Sequence, residues 1–229
     1  NDFEGNAYAL PCLGDADLPT VHAGDPHGGK LATVGPGTGL GGSTLDTRGS
    51  VPLACASEPG HRGLAPATDR ELRLFESLQA RHGEIYAELL LSGPGLRRLY
   101  QSVAALRGRE DEHLDSEDIS ARALANDCEL CVETLQTFCA LLGSACGDFV
   151  LANGAYGGLY VAGGIMPGMV DFLRASSFAQ RFREKGKMAG HLARVPLYVI
   201  TCDTTGLLGA AHAPMQAPGH PSAPANGVK

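Results

Sequence analysis

The sequence predicts an α/β fold, and three observations predict it. Short apolar or β-branched runs bounded by glycine alternate with longer stretches of helical spacing, and no repeat of fixed period is visible. Hydrophobic residues make up 44% and charged residues 19%, the balance of a chain that builds a core. At 229 residues there is material for one large domain or one and a half.

The elements follow in order. Lys-Leu-Ala-Thr-Val at 30–34 reads as a short buried strand running into a glycine loop at 35–42, and Ser43, Thr44 and Leu45 begin a second strand. After a loop at 57–61, Thr68 and Glu71 form a capping box, and Leu72, Phe75 and Leu78 continue at helical spacing until Gly83. Ser92-Gly93-Pro94-Gly95 punctuates the chain, after which Leu96, Leu99, Val103 and Leu106 line one side of a helix ending at Gly108. Residues 116–153 are rich in Ala and Leu with few breakers, which predicts two helices or one long bent one. A strand is expected at 157–165, ending at the Gly163-Gly164 pair, a last strand at 195–201 and a helix at 206–212. Residues 213–229 carry four prolines without apolar periodicity, so they are expected to be a disordered tail.

Composition excludes some functions. A net charge of −7 disfavours nucleic acid and anionic membranes as partners, because both demand clustered Lys and Arg. No apolar run approaching the roughly 20 residues of a membrane span is expected. Seven cysteines, an odd number in a chain large enough to fold unstapled, point to reduced thiols and hence a cytoplasmic location. Asn1 is neither a Met nor part of a basic leader, so the chain is expected to be a fragment.

The loop at 35–42 carries the strongest chemical signal. Gly35, Gly37 and Gly39 alternate, allowing backbone N–H groups to converge on an anion, and Thr38 adds a hydroxyl. Phosphate is the natural guest; a plain glycine-rich hairpin is the alternative. Gly37, Gly39 and Gly42 also satisfy a dinucleotide fingerprint, but a β-like stretch follows where a helix would have to receive the pyrophosphate. The segment 24–30 nearly matches a P-loop, yet Leu31 stands where a Ser or Thr should hold magnesium, and it reads as a surface loop.

Three polar groups are bland singly and informative beside a phosphate loop. Asp2 lies beside Asn1, Glu58 is paired with His61, which Gly60 and Gly63 flank, and Glu88 sits shortly before the 92–95 punctuation. Cys128 and Cys131 have redox-motif spacing but fall in a helical stretch without a second ligand pair, and they read, with Cys139 and Cys146, as core cysteines. No spacing marks a protein-built metal site.

Taken in sequence, Asn1-Asp2-Phe3, the loop at 35–41, Glu58-Pro59-Gly60-His61, the segment 88–96, the 158–165 strand with its Gly pair, and Gly206-Leu207-Leu208-Gly209-Ala210-Ala211 resemble the bacterial glucokinases of the proteobacterial type. These belong to the hexokinase and actin-like ATPase superfamily, outside the ROK group. The resemblance runs from Asn1 to about Ala211. It implies the large C-terminal α/β domain of the actin-like ATPase (ribonuclease H-like) fold, a mixed sheet covered by helices. Residues 1–11 would then be a small-domain and hinge strip, 12–204 the large domain, and 205–212 a closing helix packed with the small domain.

The resemblance further implies transfer of the ATP γ-phosphoryl group to the 6-hydroxyl of glucose with Mg²⁺, and a homodimer. Asp2 would be the general base; Asn1, Glu58, His61 and Glu88 would bind the sugar. Gly35, Gly37, Thr38 and Gly39 would hold the phosphates, while Gly163 and Gly164 would admit the adenosine. The family's first phosphate motif has no counterpart here, so the chain alone is expected to be a weak or inactive catalyst, with 1–11 and 206–212 presenting bare apolar faces. Gly5 stands where the family commonly has Ala. Pro59 replaces a glycine and should push Glu58 towards an extended conformation. A non-catalytic sugar-binding remnant and a nucleotide-binding oxidoreductase are the rival readings.

Overall fold

The computed structural model of the chain describes residues 2–214. Asn1 and most of the expected tail, 215–229, lie outside the described residues. A six-stranded mixed sheet runs β1-β6-β5-β2-β3-β4, from β1 (Thr20–His22), β2 (Lys30–Pro36), β3 (Leu40–Asp46), β4 (Leu53–Ser57), β5 (Gly158–Val161) and β6 (Leu197–Val199). β2, β3 and β4 form an antiparallel meander, β5 and β6 run parallel to β2, and β1 pairs antiparallel with β6.

All four expected strands are present. β2 and β3 extend into the glycine segment, with Gly35 facing Gly41 and Pro36 facing Leu40, so the open loop shrinks to a turn at 37–39. Missing side chains do not prevent backbone pairing, which is why composition overstated the loop. β1 and β4 carry little apolar signal: β1 has three residues, and in β4 only Ala54 is buried.

Two faces are covered. Alternation along the strands sends Ala32, Val34, Leu159, Val161, Leu197 and Val199 into the main core, which they share with α2 (Asp69–His82), α3 (Ala87–Leu90), α4 (Gly93–Leu106), α5 (Ser116–Ala125), α6 (Glu129–Asn153), α7 (Val170–Ala175), α8 (Phe178–Arg183) and α9 (Ala189–Leu192). On the opposite face Leu31 and Leu45 meet α1 (Asp2–Ala9) through Ala7 and Tyr8, and Tyr160 stacks on Tyr198 with ring centroids 5.1 Å apart. α10 (Thr205–His212) packs against α1. The strips expected to be bare thus face largely each other, although Leu207 remains 74% exposed.

The helices depart from expectation at informative positions. The Thr68 hydroxyl accepts the Glu71 N–H at 3.1 Å, as a capping box requires, but the Glu71 carboxylate accepts the Ala67 N–H and turns inward to Arg181. With Glu71 inside, the buried stripe becomes Leu74, Phe75 and Leu78, and Leu72 is left 50% exposed. Pro94 and Gly95 are not a break but the first turn of α4, where proline's missing N–H costs nothing; Leu106, its last residue, is 40% exposed. Residues 116–153 do form two helices, separated where Asn126 takes φ 56° and ends α5.

One helix qualifies the expectation that no apolar run approaches a membrane span. α6 is 25 residues long with a window of mean hydropathy 1.4, which is long and apolar enough to cross a membrane by length and composition. Its apolar residues are spent inside the protein instead: 72% of that window is buried, against α4, α5 and α8. Polar residues interspersed along it hid the run from a reading by uninterrupted apolar length.

Candidate functional site

The β2–β3 hairpin ends in a turn that the fold fixes from two sides. Gly37 donates its N–H to the Gly39 carbonyl at 2.8 Å, and Gly93, first residue of α4, donates to the Gly37 carbonyl at 2.8 Å. Gly37 and Thr38 are exposed at the tip. Around this tip lies a cleft of about 740 Å³, lined by Asp2, Phe3 and Asn6 of α1, by residues 35–41, and by Glu58, Glu88 and Gly163.

α1 is seated by an aromatic ring on bare backbone. The ring of Phe3 lies on the cross-strand pair Gly35–Gly41: a Cβ on Gly35 would approach Phe3 Cζ to 2.8 Å, and one on Gly41 would overlap the ring. This puts Asp2, exposed in the helix's first turn, at the cleft. One glycine expected to serve a ligand, Gly35, therefore also seats the protein's own side chain.

Glu88 is similarly tied to the turn. Its carboxylate accepts the Leu40 N–H at 2.9 Å and occupies the space where a Cβ on Gly39 would stand. α3 holds it there: Ala87 donates its N–H to the Arg62 carbonyl at 2.8 Å, and the Ser92 hydroxyl donates to the Glu88 carbonyl at 2.8 Å while capping α4. Gly37 has nothing within 4 Å of where a Cβ would be, so its approach from solvent is open.

The segment at 58–61 behaves differently from expectation. Glu58 is exposed on the cleft with φ −118° and ψ 68°, so Pro59 gives it the expected φ, but ψ falls short of extended because Glu58 also starts the 3₁₀ turn Pro59–His61. His61, the last residue of that turn, is not among the residues that line the cleft. It is exposed, its ring centroid 5.8 Å from that of Tyr86.

At the far end Gly163 takes φ +116°, a conformation that favours glycine, and crosses over the Pro36 carbonyl. It lines both the main cleft and a second cavity of about 200 Å³ that includes Gly164, Cys202, Asp203 and Thr205. A hydrogen bond with Thr204, Sγ to Oγ1 3.6 Å, holds the Cys202 thiol below its ordinary pKa. Asn6 also borders both spaces. Its role was missed in the sequence; the signal would have been an i, i+4 relation to Asp2 had 2–9 been read as a helix.

The cleft therefore gathers Asp2, Glu58, Glu88, Gly35, Gly37, Thr38, Gly39 and Gly163, places Gly164 in the adjoining cavity, and leaves His61 outside. Among the described residues no group of three or more His, Cys, Asp or Glu is arranged to hold a metal. β3 continues antiparallel from the turn to Asp46, so the dinucleotide fingerprint lacks its helix and the oxidoreductase reading loses its structural support.

The family model described as Glucokinase matches residues 1–217. A curated glucokinase of Aromatoleum aromaticum is 44% identical over 214 residues, which is 93% of this chain and 65% of that protein. The crystal structure of a glucokinase from an Antarctic psychrotroph has a TM-score of 0.87 at 40% identity, covering 93% of this chain and 66% of that one. A ROK family glucokinase from Streptomyces griseus, in complex with glucose and AMPPNP, shares the fold with a TM-score of 0.61 at 16% identity, over 92% of this chain and 65% of that one. The chain thus spans about two thirds of the length of these relatives.

Proposed function

The chain belongs to the glucokinase family, and from that premise we propose that its protein transfers the γ-phosphoryl group of ATP to the 6-hydroxyl of D-glucose. One observation carries the proposal for these residues. A single cleft brings the carboxylates of Asp2, Glu58 and Glu88 to the exposed turn at 37–39.

In this reading the sugar lies against Glu58 and Glu88, which accept from its hydroxyls; Asn1, a further sugar ligand by resemblance, is outside the described residues. Glu88 has one oxygen on the Leu40 N–H and presents the other to the sugar, so sugar and phosphate turn share one support. A site of paired polar groups rejects analogues that leave those groups unpaired. Asp2 takes the 6-hydroxyl proton as that oxygen attacks phosphorus; a positioned base of this kind is worth about 10²–10⁴-fold. Gly37 and Thr38 meet the phosphates at the exposed tip, and Gly163 and Gly164 open the route to the second cavity for the adenosine. His61, at the end of the 3₁₀ turn that follows Glu58, keeps in this reading the sugar-binding role that the resemblance implies.

Magnesium fits this donor set as an ion carried on the nucleotide. The cleft's carboxylates are dispersed rather than clustered, which suits a cation held through phosphate oxygens and water, with Asp2 the protein carboxylate nearest that chemistry by role. When bound, it neutralises charge on the transferring group. Seven free cysteines support a reducing, cytoplasmic setting, and a homodimer belongs to the same reading.

The test is ADP production with glucose, fructose and mannose by the protein expressed from its complete reading frame, against Asp2→Asn. Glucose-selective turnover reduced at least about 10²-fold by the substitution is expected. Turnover indifferent to Asp2→Asn would remove the base assignment. Absence of turnover while glucose still raises Tm would leave a sugar-binding protein instead.

A further inference from the structure

We infer, on the kinase reading given above, that Asn6 is a nucleotide-contacting residue: its side-chain amide donates to an oxygen of the phosphates that the nucleotide keeps when the γ-phosphoryl group is transferred. The main cleft and the second cavity, about 740 and 200 Å³, have two lining residues in common among the described residues, Asn6 and Gly163. Gly163 brings only backbone to that junction, at φ +116°. The side chain common to both spaces is that of Asn6.

The amide is not engaged elsewhere. Asn6 is half-buried in the middle of α1, and its side chain makes no hydrogen bond with another described residue. Its Oδ1 lies on the α10 side, 3.6 Å from where a Cβ on Gly206 would stand, which is ordinary contact. Such a group offers two N–H donors and carries no charge. Both properties matter here, because the carboxylates of Asp2 in the cleft and Asp203 in the cavity already oppose an anion.

Spacing along the helix selects the part of the nucleotide that Asn6 meets. Asp2 and Asn6 stand four residues apart on the same side of α1, about 6 Å along its axis. With the transferring group at Asp2 and the adenosine in the second cavity, the stretch that passes Asn6 is the chain of non-transferred phosphates. ADP keeps those phosphates, so the contact is the same before and after transfer. It strengthens nucleotide binding and leaves the chemical step unchanged.

The experiment uses the protein expressed from its complete reading frame, with Asn6→Ala and the isosteric Asn6→Asp. Calorimetry with ADP and with ATP reads affinity without turnover, and steady-state assays give kcat and the two KM values. Asn6→Ala should weaken both nucleotides by about tenfold, raise the KM for ATP to match, and leave kcat and the KM for glucose unchanged. Asn6→Asp should weaken them further, and added salt should shrink that extra loss, because it arises from charge repulsion. Ala is the better helix former, so the unliganded Tm of Asn6→Ala should hold or rise. Unchanged nucleotide affinity in both variants overturns the proposal, as does a fall in kcat alone, or an equal rise in both KM values with a lowered Tm. A parent protein that binds ADP but does not phosphorylate glucose would remove the kinase reading, and calorimetry on the variants would still decide the Asn6 contact.

Discussion

Gly39 and Glu88 act as one unit, tied by a hydrogen bond from Leu40 N–H to the Glu88 carboxylate that joins residues 48 positions apart. The carboxylate lies where any side chain at 39 would have to go. Gly39→Ala should expel it, leaving the Leu40 N–H without its acceptor, at a cost of about 1–3 kcal/mol. Urea denaturation reads this directly, and an unchanged midpoint would mean that Glu88 finds another acceptor geometry. At this scale the sequence was legible in kind but not in use. Glu88, Glu58 and Asp2 were singled out and do share the cleft, whereas Gly35, singled out for phosphate, supports Phe3. A glycine's position announces close approach without saying what approaches.

Between elements, the feature with the largest predicted energetic consequence is the ion pair that joins α2 to α8. Arg181 donates to both Glu71 oxygens, at 2.6 and 3.1 Å, with side chains only 7% and 6% exposed. Truncating one partner strands a buried charge, so Arg181→Ala should destabilise by roughly 3–5 kcal/mol. Replacing both, as Glu71→Gln with Arg181→Met, should recover most of that loss, because the desolvation cost disappears with the charges. A double-mutant cycle in urea checks the pair, and additive losses would show that the two side chains are not coupled. The sequence placed Glu71 correctly as a cap residue and could not show its turn inward, since Arg181 lies 110 positions away.

For the whole molecule, buried neutral acids set the alkaline limit of stability. Burial raises Cys139 and Cys146 from an ordinary 9.0 to about 12, and raises Tyr160 from 10.0 to about 12, with the nearby Tyr198 adding to it. These groups hold their protons in the fold and lose them more readily when unfolded. Their contribution is complete below pH about 9 and declines as pH rises towards about 12, since the unfolded chain releases protons first. The urea midpoint should therefore fall steadily across that window, and Cys139→Ala with Cys146→Ala should flatten the slope even while lowering the midpoint. A midpoint independent of pH across the window would contradict the linkage.

The sequence by itself determined the α/β class, the four principal strands, most helix starts and the family, because periodicity, caps and local motifs are short-range properties of the chain. It also named most of the residues that line the cleft. Tertiary structure decided the rest. It determined which edge strands complete the sheet, that a 25-residue apolar helix is core, and that Asn6 borders the cleft. Each of these depends on which distant segment occupies the neighbouring space, and packing alone fixes that.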